Sequence, residues 1–83
     1  MADPFIVAID AGNTRIKWGL HDGSVWKARG ISPTADAANI GLQWSAVPKG
    51  SRGIASNVAG TEVAAHLERA AGERGVAIER GRI

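Results

Sequence analysis

The 83-residue sequence contains no cysteine. Disulfides and thiolate-ligated metal sites are therefore excluded. A small secreted domain normally relies on such staples, so the composition favours a reducing, cytoplasmic setting. Charge of one sign is scarce as well: ten Lys and Arg oppose eight Asp and Glu, a net of +2. The cations are spread along the chain and interleaved with acids, not clustered as in nucleic-acid binders, so nucleic acid is not expected as a partner. No apolar run approaches the ~20 residues of a membrane span. The start, MADPFIVAID, lacks the basic-then-apolar pattern of a signal peptide. The length leaves room for one small core and excludes two domains, since single domains usually run about 100–150 residues. An apolar fraction of 45% argues against disorder along the whole chain. Glycine is the residue in excess, 11 of 83 against a usual share of about 7%. Its scattered placement excludes a collagen repeat and a plain linker.

The pattern predicts seven elements. Residues 5–9 form an unbroken apolar run that ends at Asp10, as in a buried central strand. Gly12 and Asn13 tolerate positive φ and predict a tight turn. Residues 15–20 alternate, with Ile16, Trp18 and Leu20 on one face, as in a half-exposed strand. Asp22-Gly23 is a hairpin signal. A third strand follows over 25–31, with Trp26 and Ala28 on one face and Lys27 and Arg29 on the other. Ser32-Pro33-Thr34 then opens a helix carrying Ala37, Ile40, Trp44 and Val47 to about residue 46, weakened by Gly41. A short strand over 53–58 follows. A second helix opens at Gly60-Thr61-Glu62, with Glu62 capping its positive end, and stops at Gly72 or Gly75. A last strand over 76–78 precedes a charged tail, 79–83.

This β-β-β-α-β-α-β order predicts an α/β fold. The two later strands lie parallel to the first through right-handed crossovers, giving a mixed sheet in the order 3-2-1-4-5. Two helices cannot cover both faces of five strands. One face is expected to lack its partner layer, so the single domain, 1–83, reads as incomplete.

The stretch with the most chemistry is Asp10-Ala11-Gly12-Asn13-Thr14-Arg15-Ile16-Lys17. A carboxylate at the end of a strand suits hydrated Mg²⁺ beside phosphates, because Mg²⁺ takes one or two carboxylates plus phosphate oxygens and waters. Gly12 admits a phosphate close to the backbone, and successive N–H groups make an anion nest. Asn13 and Thr14 donate hydrogen bonds, and Arg15 or Lys17 neutralises charge. That set matches phosphoryl transfer, in which positioning and electrostatics dominate. The same residues also make a plain hairpin turn.

Residues 9–18, IDAGNTRIKW, closely resemble the N-terminal phosphate loop of type III pantothenate kinases, members of the acetate and sugar kinase/Hsp70/actin superfamily. Residues 54–60, IASNVAG, resemble that family's fourth strand and the turn after it. The resemblance spans roughly 5–78 and implies a ribonuclease-H-like half-domain. It implies an ATP-phosphate loop built from Asp10, Ala11, Gly12, Asn13, Thr14, Arg15, Ile16 and Lys17, with Asp10 facing Mg²⁺. It further implies ATP and pantothenate as substrates, a monovalent cation (K⁺ or NH₄⁺) held by ligands outside this chain, and a homodimer at full length. The family is about three times this long. Its downstream Gly-x-Asp-Arg motif, which carries the catalytic aspartate, is absent here. No catalytic residue is therefore assigned, and the chain alone is expected to be inactive. Some similar proteins carry the name Bvg accessory factor. The alternative they imply is a non-enzymatic transcription accessory acting through a partner or DNA.

Other candidates fall to simpler explanations. Asp22, Asp36 and Glu62 sit where turns and helix starts favour acids. His21 and His66 are isolated and read as surface residues. Ser56 lacks a Gly-x-Ser-x-Gly elbow. Trp18 and Trp44 fall on apolar faces and read as core, while Trp26 stays open between core packing and base stacking.

Overall fold

The computed structural model describes residues 5–80. β1 (Ile6–Ala11) buries Val7, Ile9 and Ala11 while Asp10 stays exposed. β2 (Arg15–His21) buries Ile16, Trp18 and Leu20 on the same side of the sheet. β3 (Trp26–Pro33) pairs antiparallel with β2, which pairs antiparallel with β1. β4 (Arg52–Asn57) and β5 (Ala77–Arg80) run parallel to β1. The sheet order is β3-β2-β1-β4-β5, the mixed order the pattern predicts. A 3-10 helix (Thr34–Trp44) and the α-helix α1 (Thr61–Glu73) supply Ala37, Ile40, Trp44, Val63, Leu67 and Ala70 to one core with the inward side chains of β1 and β2. That apolar burial is the main term holding the fold together.

Several expectations need correction. The first helix is a 3-10 helix that starts at Thr34 with Pro33 in the N-cap position and no side-chain cap, not an α-helix opened by Ser32. β3 runs on to Pro33, so Ser32 lies in the strand, buried, with its hydroxyl donating to the Pro33 carbonyl at 3.2 Å. Asp36 has non-helical angles (φ −104°, ψ 21°) and breaks the helix after one turn, in keeping with the short runs that 3-10 geometry tolerates. Gly41 does more than weaken this helix. A Cβ there would sit 3.2 Å from that of Ala70, so the glycine lets α1 pack close. Trp26 is on the opposite face from Ala28. The register shifts between Leu20 and His21, leaving Lys27 as an extra residue between the pairs Leu20–Ala28 and His21–Trp26. Such a bulge turns the following side chain over. The Trp26 ring then covers Gly19, where a Cβ would come within 2.7 Å of it, and lies 5.9 Å beneath the Arg29 guanidinium. Glu62 lies in the first turn of α1 but makes no cap, and its carboxylate reaches His66 at 4.0 Å. His66 and His21 are half-buried rather than surface residues. Of the expected charged tail, Glu79 and Arg80 belong to β5, and residues 81–83 lie outside the described residues.

Both helices lie on one face of the sheet. Among the described residues, none covers the other face, where Trp26, Ile31 and Ile54 are 48%, 60% and 43% exposed. β1 is therefore fully buried on one side only, not as the doubly covered central strand its apolar run suggests.

The β2–β3 hairpin shows how local chemistry closes a turn. Gly23 takes φ 99°, which only glycine adopts readily. The Asp22 carboxylate accepts the N–H groups of Ser24 and Val25 at 2.8 and 2.9 Å. The Val25 and Ser24 amides hold its pKa below the usual carboxylate value. A lowered folded pKa adds stability that is present above the unfolded pKa and lost as pH falls through the folded one. Asp22→Ala should therefore lower the urea midpoint at neutral pH. The gap from wild type should shrink as pH drops below about 4. A gap that stays constant with pH would remove the carboxylate from the explanation.

Candidate phosphate site

β1 and β4 are parallel neighbours and end together at one edge, with Ala11 opposite Asn57. In α/β sheets, ligands bind beyond the carboxyl ends of parallel strands. The β1–β2 loop and the β4–α1 turn both lie at this edge. The loop is short: the Gly12 N–H donates to the Arg15 carbonyl at 3.0 Å. Neither Gly12 nor Asn13 takes positive φ, which corrects the reason given for the turn. Position 12 is tight for any larger residue, because a Cβ would lie 3.3 Å from the Arg15 carbonyl oxygen. In the second turn, the Asn57 side chain accepts the Ala59 N–H and donates to the Gly60 carbonyl, both at 2.8 Å. The Val58 N–H donates to the Ala11 carbonyl at 3.0 Å, which ties the two turns together. Gly60, at φ 114°, then starts α1.

Asp10, Gly12, Asn13, Thr14, Arg15 and Lys17 line one depression of about 330 Å³. Six of the eight residues singled out in the sequence thus meet around one space. Ala11 and Ile16 do not. Both are fully buried in the core, so they serve the loop only through their backbone. The register sets Asp10 directly across from Lys17 on β2 and from Ser56 on β4. Cross-strand partners share a face, so carboxylate, ammonium and hydroxyl stand in a row. Asp10 and Lys17 are exposed. Among the described residues, no hydrogen bond or ion pair engages the Asp10 carboxylate. A carboxylate free of protein partners among the described residues, beside an open depression, fits Mg²⁺ of the hydrated, phosphate-bridged kind, which needs only one or two protein oxygens. The described residues form no group of three or more His, Cys, Asp or Glu of the sort an all-protein metal cage requires.

Asp10 and Lys17 also border a second groove, of about 460 Å³, on the uncovered face, walled by Trp26, Arg29 and Ile54. The sequence pattern did not reveal Ser56 as a neighbour of Asp10, because that adjacency comes from strand register. Thr34 was missed as well. Its hydroxyl donates to the Gly12 carbonyl at 2.6 Å, and its N–H donates to the Thr14 carbonyl at 3.0 Å. These contacts span 22 and 20 residues, and no local signal carries them.

No protein-family model matches the chain. It is 46% identical over 71 residues to a protein of Aromatoleum aromaticum named Type III pantothenate kinase, covering 86% of this chain and 28% of that protein. A protein of the same name from Nitrosospira multiformis is 40% identical over 65 residues, covering 78% of this chain and 25% of that protein. One from Janthinobacterium is 40% identical over 85 residues, covering 89% and 32%. Among solved structures, the Aquifex aeolicus PPX-GPPA enzyme superposes with a TM-score of 0.51 at 12% identity, over 96% of this chain and 36% of that one. That likeness bears on the fold alone and agrees with the ribonuclease-H-like α/β half-domain. The chain is related to the type III pantothenate kinases and spans about a quarter to a third of the length of these relatives.

Proposed function

We propose that residues 10–17 form the ATP-phosphate loop of an ATP-dependent pantothenate kinase, and that this chain is an N-terminal part of such an enzyme. The observation that carries the reading is the pairing of Asp10 with Lys17 beside the Gly12–Thr14 loop at the carboxyl edge of β1, with Ser56 of β4 next to Asp10 in register. The names of its relatives support pantothenate as the acceptor and coenzyme A biosynthesis as the setting. In this reading Asp10 holds Mg²⁺, which when bound offsets phosphate charge. Asn13 and Thr14 donate to phosphate oxygens, and Lys17 or Arg15 adds positive charge. The catalytic aspartate and the ligands for a monovalent cation come from segments outside this chain. The intact enzyme is a cytoplasmic homodimer. Among the described residues, no helix is long and apolar enough to cross a membrane.

The test is a titration of the ¹⁵N-labelled chain with MgATP and, separately, with a DNA duplex. MgATP should shift the amides of residues 10–17, and no pantothenate phosphorylation should occur. Salt-sensitive DNA binding without any response to MgATP would replace this reading with the transcription-accessory one. Turnover by the chain alone would refute the assignment of the catalytic group to missing segments.

A further inference from the structure

Thr34 is polar, half-buried and has no place in the loop's list of phosphate contacts. It nevertheless grips the loop twice, through its hydroxyl to the Gly12 carbonyl (2.6 Å) and its N–H to the Thr14 carbonyl (3.0 Å). A trans peptide points its C=O and the next N–H to opposite sides. The bond to the Gly12 carbonyl therefore turns the Asn13 N–H away from Thr34. The Gly12 N–H is already taken by the Arg15 carbonyl. The Asn13 N–H has no partner among the described residues. One hydroxyl thus fixes the peptide plane that carries one of the loop's free donors, the Thr14 N–H being another without a partner among the described residues.

We propose that Thr34 is a positioning residue for phosphate binding. It holds the Gly12–Asn13 peptide with its N–H presented to the nucleotide's phosphates before the nucleotide arrives. The proposal rests on the reading of residues 10–17 as a phosphate loop. Its physical basis is preorganisation: a donor already aimed spends no affinity on ordering. Thr34 does not line the depression, so it acts through Gly12 and Thr14 and never touches the ligand. If the threonine merely sealed the end of β3, its loss would lower stability and leave affinity untouched.

The test uses the full chain with MgATP as the probe. Thr34→Val keeps the side chain's shape and removes the donor, while Thr34→Ser keeps the hydroxyl. MgATP affinity should fall about tenfold in Thr34→Val, the effect of one well-made hydrogen bond. Thr34→Ser should stay within about twofold of wild type on the same scale. In wild type, the Asn13 amide should shift on MgATP binding. Equal affinity in wild type and Thr34→Val overturns the proposal, and so does a serine variant as weak as the valine one. Wild-type binding that leaves the Asn13 amide unmoved also overturns it, and that measurement stands even where Thr34→Val does not fold. Each of these results leaves the phosphate-loop reading intact. If MgATP moves no amide of residues 10–17 in wild type, the loop reading itself falls and takes the proposal with it.

Discussion

Trp44→Ala should unfold most of the chain at 25 °C. Trp44 is the largest of the fully buried side chains, and its ring meets that of Trp18 edge-on, with centroids 6.4 Å apart and planes at 77°. Truncating a buried Trp to Ala costs about 3–5 kcal/mol through lost transfer energy and the cavity left behind. A chain this short has a total stability of roughly 4–12 kcal/mol on a per-residue scale, and its half-covered sheet places it near the low end. The indole adds a second test. Its Nε1 is buried with no hydrogen-bond partner among the described residues. Trp44→Phe therefore loses ring area but removes an unsatisfied donor, and should keep the chain folded. Urea titration followed by far-UV circular dichroism separates the two variants. If Trp44→Ala unfolds at the same urea concentration as wild type, the single-core description is wrong.

The same tryptophans show how far a sequence can be read. Trp18 and Trp44 were placed correctly because their faces follow from local periodicity, two in β2 and three to four along the helix. Trp26 was misplaced because its face depends on a register shift against β2, and a bulge leaves no mark in a single strand's alternation. The 3-4-3 spacing of Ala37, Ile40, Trp44 and Val47 follows the 3.6-residue period, so the inward residues were legible while the 3-10 hydrogen-bond pattern, the kink at Asp36 and the end of the helix at Trp44 were not. Gly23, Gly60 and Gly75 were readable as turns or helix ends, and all three take positive φ. Gly12 does not take the positive φ expected of it at the turn. Its constraint is a neighbouring carbonyl rather than its own backbone angles. The clustering of six loop residues around one depression was legible because they are contiguous or nearly so. Ser56 and Thr34 were not, because each reaches the site through pairing across the sheet.

Asp10→Ala should change how nucleotide binding depends on Mg²⁺ while leaving the fold alone. Asp10 is exposed and, among the described residues, makes no hydrogen bond or ion pair, so its loss should move stability by no more than about 0.5 kcal/mol. The site's electrostatics give opposite signs with and without the metal. With Mg²⁺ present, Asp10 would hold the ion beside the phosphates, and its removal should weaken ATP binding on the order of tenfold. With Mg²⁺ chelated, the carboxylate only repels the phosphates. The variant should then bind ATP as well as wild type or better. Lys17→Ala makes the control, because in the proposed site the ammonium opposite Asp10 would attract phosphate in both conditions. That variant should weaken binding with or without the metal, and more so at low salt. Calorimetric titration of wild type and the two variants, in Mg²⁺ and in chelator, gives the six affinities that decide the matter. The same Mg²⁺ dependence in Asp10→Ala as in wild type would remove Asp10 from the metal site. The loss of the Lys17 effect would remove the ammonium from the phosphate cradle.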